Sequence, residues 1–265
     1  MTAVDFAGFV DELATMSGLV ILPYFRTSIG AEDKSRGGVF DPVTEADWNA
    51  ERVIRQAIRA RFPGHGIIGE EFGAENTEAD YVWVLDPIDG TKSFISGLPT
   101  WGTLIALQHK GRPVYGMMHQ PFTGEKFYGD GRTAHWRGTC AGVAMAERLL
   151  RTRPCAQLAD ATVMTTSPLL LTDPERHKYK RVEAQARLHR YGGDCYGYCM
   201  LAAGHVDLVI EAGLKPYDIA ALVPVIEGAG GVVTSWDGGN PAEGGAIIAA
   251  GDRRMHDAAL KLLAD

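Results

Sequence analysis

Apolar positions near the start of the chain recur at the helical period. Phe6, Phe9, Val10, Leu13, Met16, Leu19 and Val20 are spaced by threes and fours, which predicts an amphipathic helix over residues 3–25. Residues 27–43 are rich in glycine and charge and read as a loop. Thr44 then precedes Glu45-Ala46-Asp47, and Ile54 and Ile58 share a face, so a second helix is predicted to end near Arg61. Phe62-Pro63-Gly64 stops it. Short β-rich segments follow at 66–69, 81–86, 103–110, 113–119 and 125–129. The Gly and Pro between them predict a sheet with antiparallel hairpins.

The second half changes character. Strands are predicted at 163–166, 206–211, 232–234 and 245–250, and helices at 174–186, 195–204, 217–228 and 253–263. That alternation reads as α/β, against an α+β first half. We expect two tightly packed halves, 1–140 and 141–265, with a seam between 130 and 160 that no flexible composition marks. No internal repeat is present.

With 265 residues, 46% of them hydrophobic and 22% charged, the chain can bury a sizeable core and is not disordered. Its 33 acidic against 26 basic residues leave a net charge of −7, which argues against binding to nucleic acid or to a membrane surface. The N-terminus lacks the basic start and apolar core of a signal peptide. The uncharged stretch 13–25 reads as too short to span a bilayer, so a soluble, cytoplasmic protein is expected. The four cysteines form no C-x-x-C pair, and Cys195 and Cys199, one helical turn apart, read as small core residues. His205 reads as a helix-end residue, since no carboxylate–histidine metal pattern surrounds it.

The densest chemical signal is Trp83-Val84-Leu85-Asp86-Pro87-Ile88-Asp89-Gly90-Thr91. An apolar strand ends on one carboxylate, and a turn delivers a second three residues later. Two carboxylates aimed into one small volume repel unless cations share them, and hard oxygen donors suit Mg2+. The Gly90 and Thr91 amides would face a phosphate if they open a helix. The bland alternative is an Asp-Pro/Asp-Gly turn with solvated carboxylates. Gly69-Glu70-Glu71 places further carboxylates at a strand end, and Asp218 begins an apolar helix. Asp218 also reads as a cap or first-turn acid, as does Asp47.

Glu70-Glu71, then Asp86-Pro87-Ile88-Asp89-Gly90-Thr91, then Asp218 before a small-residue helix together resemble the signatures of the inositol monophosphatase-like phosphatases. The resemblance runs from Asp47 to the closing Gly-Gly-rich segment. Where the family pattern reads W-D-x-A-[AG]-G, this chain has Tyr217 for the Trp and Leu222 for the final Gly, with Asp218 intact. The strings Arg190–Tyr198 and Glu211–Asp218 look most like the histidinol-phosphatase branch.

The resemblance implies a layered αβαβα sandwich of the sugar-phosphatase type and hydrolysis of a small phosphomonoester, with histidinol phosphate favoured. Inositol 1-phosphate or another sugar or nucleotide phosphate is the alternative, and a regulatory binding partner on the same scaffold is a non-enzyme reading. It implies two or three Mg2+ ions held by Glu70, Asp86, Asp89, Asp218 and the Ile88 carbonyl. Glu70 would orient the attacking water, and Thr91, hydrogen-bonded to Asp47, would help activate it. Asp89, Gly90, Thr91 and Asp218 would meet the phosphate end of the substrate. Asp194 and Glu211 would meet the cationic end, because histidinol carries an ammonium and an imidazole. Arg190 would contact the phosphate or cross a subunit interface, and a homodimer is implied.

Overall fold

The computed structural model describes residues 6–28, 30–34, 42–140 and 142–264. In the strand Tyr81–Asp89, Trp83 and Leu85 point to one side and Val84 to the other, and each side is buried. A strand buried on both faces must lie between two further layers. On the Trp83 side pack helices α1 (Phe6–Ile21) and α2 (Glu45–Arg61), through Phe9, Val10, Leu13, Ile54 and Ile58. On the Val84 side, Leu104, Met118 and Phe127 meet Tyr198, Cys199 and Leu201 of the later helices.

Among the described residues the larger sheet has eight strands. Their order is Arg148–Leu149, Ala134–Arg137, Glu125–Gly129, Arg112–Gln120, Gly102–His109, Tyr81–Asp89, Gly66–Gly69 and Gly73–Glu75. Neighbours are antiparallel except Gly66–Gly69 with Tyr81–Asp89. The smaller sheet runs Leu188–Tyr191, Thr162–Thr165, Leu208–Leu214, Gly245–Ala250, Val232–Ser235; its first two pairings are parallel and the rest antiparallel. After α3 (Thr91–Ile95) come α4 (Asp173–Glu183), α5 (Asp194–Ala202), α6 (Pro216–Ile219), α7 (Leu222–Gly228) and α8 (Arg253–Ala264). Helices α5 and α7 fill the space between the sheets, while α4 and α8 cover the outer face of the smaller one through Tyr179, Val182, Met255 and Leu263. The stack is α–β–α–β–α, as the resemblance implied.

Several elements depart from the sequence reading. The first helix is followed at Pro23 by a 3-10 turn, Leu22–Tyr24, and its expected start at residues 3–5 lies outside the described residues. By length and composition Phe6–Tyr24 is apolar and long enough to cross a membrane, so the shorter stretch read from sequence understates it. Here its Phe9, Val10, Leu13 and Ala14 face is core. The single helix expected over 217–228 is two, α6 and α7. Pro224 has no amide hydrogen and is tolerated only in a first turn, which is where a break at Ala220-Ala221 puts it. The exposed edge strand Leu188–Tyr191 escaped notice because none of its four side chains is buried.

Where the two sheets' layers meet, Gly116 lies against the backbone that links α6 to α7. A Cβ there would sit 2.0 Å from the Ala221 carbonyl oxygen. Gly116→Ala is therefore expected to push the Asp218 helix away from the larger sheet and to destabilise the protein by about 1–3 kcal/mol. Urea unfolding checks this; a wild-type midpoint would refute so close an approach.

Candidate active site

Asp86 and Asp89 are three residues apart, a spacing that in a regular strand would send them to opposite faces. Pairing between Tyr81–Asp89 and Gly102–His109 shifts between Asp86–Leu104 and Asp89–Gly102, three residues against two. This bulge puts both carboxylates on one side, and Pro87 fits a place where no ladder donor is needed. Asp218, in the first turn of α6, approaches the same point. One carboxylate oxygen from each of Asp86, Asp89 and Asp218 lies within 4.8 Å of the other two. Each acid is held by a backbone amide: Ile88 on Asp86 at 3.0 Å, Cys195 on Asp89 at 2.7 Å and Lys215 on Asp218 at 2.7 Å. The Cys195 amide belongs to the first turn of α5, so the helix dipole also favours charge on Asp89.

Burial raises Asp86 and Asp89 well above the usual carboxylate range, with the charges of their neighbours adding to it. Burial pushes Asp218 up to about 7 against the pull of the Lys215 amide, and Glu70 and Glu211 raise it further. Glu70 follows the end of the neighbouring strand, Gly66–Gly69. Lys34 Nζ bridges Glu70 Oε1 at 2.7 Å and Glu71 Oε1 at 3.0 Å. Three crowded hard-oxygen donors that resist ionisation fit a divalent cation better than a packed core, and Glu70 stands beside them as a further donor.

Glu70, Asp86, Asp89 and Asp218 line a cavity of about 380 Å³ between the sheets. Gly90, left-handed at φ 84°, turns the chain into α3 and lets Asp194 pack on it; a Cβ would sit 2.9 Å from the Asp194 carboxyl carbon. The lining also carries Asp194, Glu211, Tyr198, Thr165, Thr166 and the apolar Leu170, Leu171 and Leu214. Asp194 makes no cap hydrogen bond at the start of α5. Its Oδ2 accepts from Ser93 at 2.6 Å and Thr100 at 3.3 Å. Glu211 accepts from the Thr166 amide and hydroxyl and from Tyr198. Burial raises both acids, and these donors oppose it. Neither carries an ion pair among the described residues.

Two expectations are corrected. Thr91 does not bond Asp47; its hydroxyl donates to the Ile88 carbonyl at 3.1 Å. Asp47 Oδ2 is folded back onto its own helix start, accepting from the Thr44 amide and hydroxyl at 2.8 and 2.6 Å. Its Oδ1 is buried without a partner, and Asp47 does not line the cavity. Arg190 is exposed on the edge strand, away from the cavity lining, so it meets no phosphate there. The sequence reading also missed Glu51. Its buried carboxylate takes the Glu71 amide at 2.7 Å and the Phe72 amide at 3.2 Å while paired with Arg55, and so fixes the turn that presents Glu70. Lys34, Ser93, Thr100, Thr166 and Tyr198 were missed too. No local signal marks them, because their partners are distant in sequence.

The crowding has a pH signature. Burial raises Asp47 to about 6 and Glu71 to about 7, and Asp218 likewise titrates near 7, against about 4 in an unfolded chain. A raised acid stabilises the fold fully below the unfolded value and loses that contribution as pH climbs through the folded one. Without divalent cations the melting temperature is expected to fall between about pH 4 and pH 7, and Asp89→Asn is expected to raise it at pH 7.5. Calorimetry in chelator checks both; a melting temperature that climbs over that range contradicts the crowding.

The inositol monophosphatase family model matches residues 5–265. The chain is 45% identical over 270 residues to the chloroplastic bifunctional phosphatase IMPL2 of Arabidopsis thaliana, covering 97% of this chain and 75% of that protein. It is 37% identical over 230 residues to a histidinol-phosphatase of Chlorobaculum parvum, covering 86% and 84%. A solved inositol monophosphatase from Zymomonas mobilis matches with a TM-score of 0.85 at 37% identity, over 99% of this chain and 100% of that one. With the αβαβα stack and the acidic cluster between its sheets, the match along almost the full chain settles the family: this protein is an inositol monophosphatase-family phosphatase.

Proposed function

We propose that the protein hydrolyses a small phosphomonoester with Mg2+ and that its substrate carries a positive charge on the alcohol side, histidinol phosphate fitting best. The observation behind this reading is the pair Asp194 and Glu211. Both are carboxylates in the cavity wall, held by neutral donors and not by any basic side chain in contact. An ammonium or imidazolium would find two oriented acceptors there, whereas a neutral polyol gains little from full charges.

Glu70, Asp86, Asp89, Asp218 and the Ile88 carbonyl would hold two or three Mg2+ ions. When bound, Mg2+ neutralises charge on phosphate oxygens and makes a water acidic enough to attack near neutral pH. Glu70 would accept a hydrogen bond from that water and aim it at phosphorus. The Gly90 and Thr91 amides would receive phosphate oxygens, holding the ester for in-line displacement. Asp47 and Arg190 have no part in this arrangement. The homodimer implied by the resemblance belongs to the same proposal, and Arg190, exposed on the edge strand, would face the partner in it. The inositol phosphate reading keeps support from the Zymomonas enzyme's name.

Phosphate release with Mg2+ from histidinol phosphate, inositol 1-phosphate, fructose 1,6-bisphosphate and an adenosine 3′,5′-bisphosphate tests the reading, with histidinol phosphate expected to lead. Activity on none would favour a binding protein. Asp194→Asn probes the charge itself. Asn tolerates the left-handed φ of 43° at this position and still accepts from Ser93 and Thr100. Loss of a charge-assisted hydrogen bond is worth roughly 1–3 kcal/mol, so kcat/KM for histidinol phosphate is expected to drop about tenfold to a hundredfold, with a much smaller drop for inositol 1-phosphate. An unchanged ratio removes Asp194 from the substrate site.

A further inference from the structure

Glu211 is held more firmly than a residue that merely lines a cavity. Oε1 accepts from the Thr166 amide at 2.8 Å and the Thr166 hydroxyl at 2.5 Å, and Oε2 accepts from the Tyr198 hydroxyl at 3.1 Å. Each carboxylate oxygen has two acceptor positions, so Oε1 is filled and Oε2 keeps one. Tyr198 is 2% exposed, and its ring is locked among the residues of the central core. It sits four residues after Asp194 on α5, so one helix face brings both Asp194 and the hydroxyl that holds Glu211 to the cavity.

We infer that Tyr198 and Thr166 are specificity-determining positioning residues, which hold the Glu211 carboxyl aimed so that the site selects phosphomonoesters with a cationic alcohol part. The inference rests on the substrate reading above and adds the residues that enforce the choice. Three neutral donors favour the carboxylate over the carboxylic acid without cancelling its charge. A lysine or arginine in the same role would neutralise the acid and leave nothing for a cation to meet. The phenol is suited to the task because a packed ring has little rotamer freedom to lose when its hydroxyl is aimed.

Tyr198→Phe removes the Oε2 donor and keeps the ring. Steady-state kinetics with Mg2+ on histidinol phosphate and inositol 1-phosphate, with calorimetric binding of L-histidinol to the Mg2+-loaded protein, provide the test. The ratio of the two kcat/KM values is expected to fall about tenfold, through KM for histidinol phosphate, and L-histidinol binding is expected to weaken by a similar factor. Thr166→Val, which removes a hydroxyl from the other oxygen, is expected to move both readouts the same way, and it carries the test if Tyr198→Phe does not fold. Equal losses on both esters, or a loss in kcat alone with unchanged L-histidinol binding, overturn the inference. If the wild type does not prefer histidinol phosphate, the substrate reading fails and the inference falls with it. A wild-type preference that survives in both variants removes the inference alone.

Discussion

Repulsion among carboxylates gathered between two sheets is the constraint that the rest of this molecule answers to. Two unit charges 4 Å apart near a protein surface interact by about 4 kcal/mol, and a hydrogen bond to a charged group returns about 1.5–3 kcal/mol. One amide on each of Asp86, Asp89 and Asp218 therefore offsets part of the crowding and not all of it. The remainder shows as acids whose protonation is favoured well above the ordinary range. A fold that tolerates this must brace the acids from outside. The buried Glu51–Arg55 pair on α2 and Lys34 across Glu70 and Glu71 do so on one flank. The α5 amide does so on the other.

The acids reach one place through the same local device used twice. The Tyr81–Asp89 strand carries one extra residue between Asp86 and Asp89, and the Leu208–Leu214 strand carries one between Glu211 and Leu214. Each bulge ends regular pairing just as the chain enters the cavity. In the first, a proline sits where a ladder donor would be missed; in the second, Gly213 takes the left-handed conformation. The strands can then serve as rigid core up to Asp86 and Glu211 and as site beyond them.

This explains which parts were legible in the sequence. Most elements and the change from an α+β to an α/β half could be read because helix and strand periods hold over most of the chain, while the layered stack was implied by the resemblance. The acidic cluster could be read because Asp86, Asp89 and their turn form one unbroken string. The edge strand Leu188–Tyr191 and the break before Pro224 could not, since the first has no buried side and the second depends on a single missing amide. Asp47 was assigned to Thr91 by resemblance, while Thr44, three residues away, supplies the cap it takes. Glu51, Lys34, Thr166 and Tyr198 act across 13 to 45 residues of sequence, so only the folded chain brings their partners into reach.

The two groups of acids that line the cavity are held differently, and the difference bears on what the second group is for. At Asp86, Asp89 and Asp218 acids face acids, an arrangement that a shared cation relieves. At Asp194 two hydroxyls, and at Glu211 two hydroxyls and an amide, oppose the upward push of burial without pairing the acid with a basic side chain in contact. Burying such a charge without a partner is costly, and a structural role would be served as well by Asn or Gln without that cost. On the reading proposed here, the compensation arrives with the substrate. A cationic alcohol part relieves Asp194 and Glu211 as metal ions relieve Asp86, Asp89 and Asp218, and a neutral ester relieves only the metal-binding group. Discrimination between substrates then follows from the energy of an unpaired buried anion, and the cavity need not exclude the wrong ester by shape.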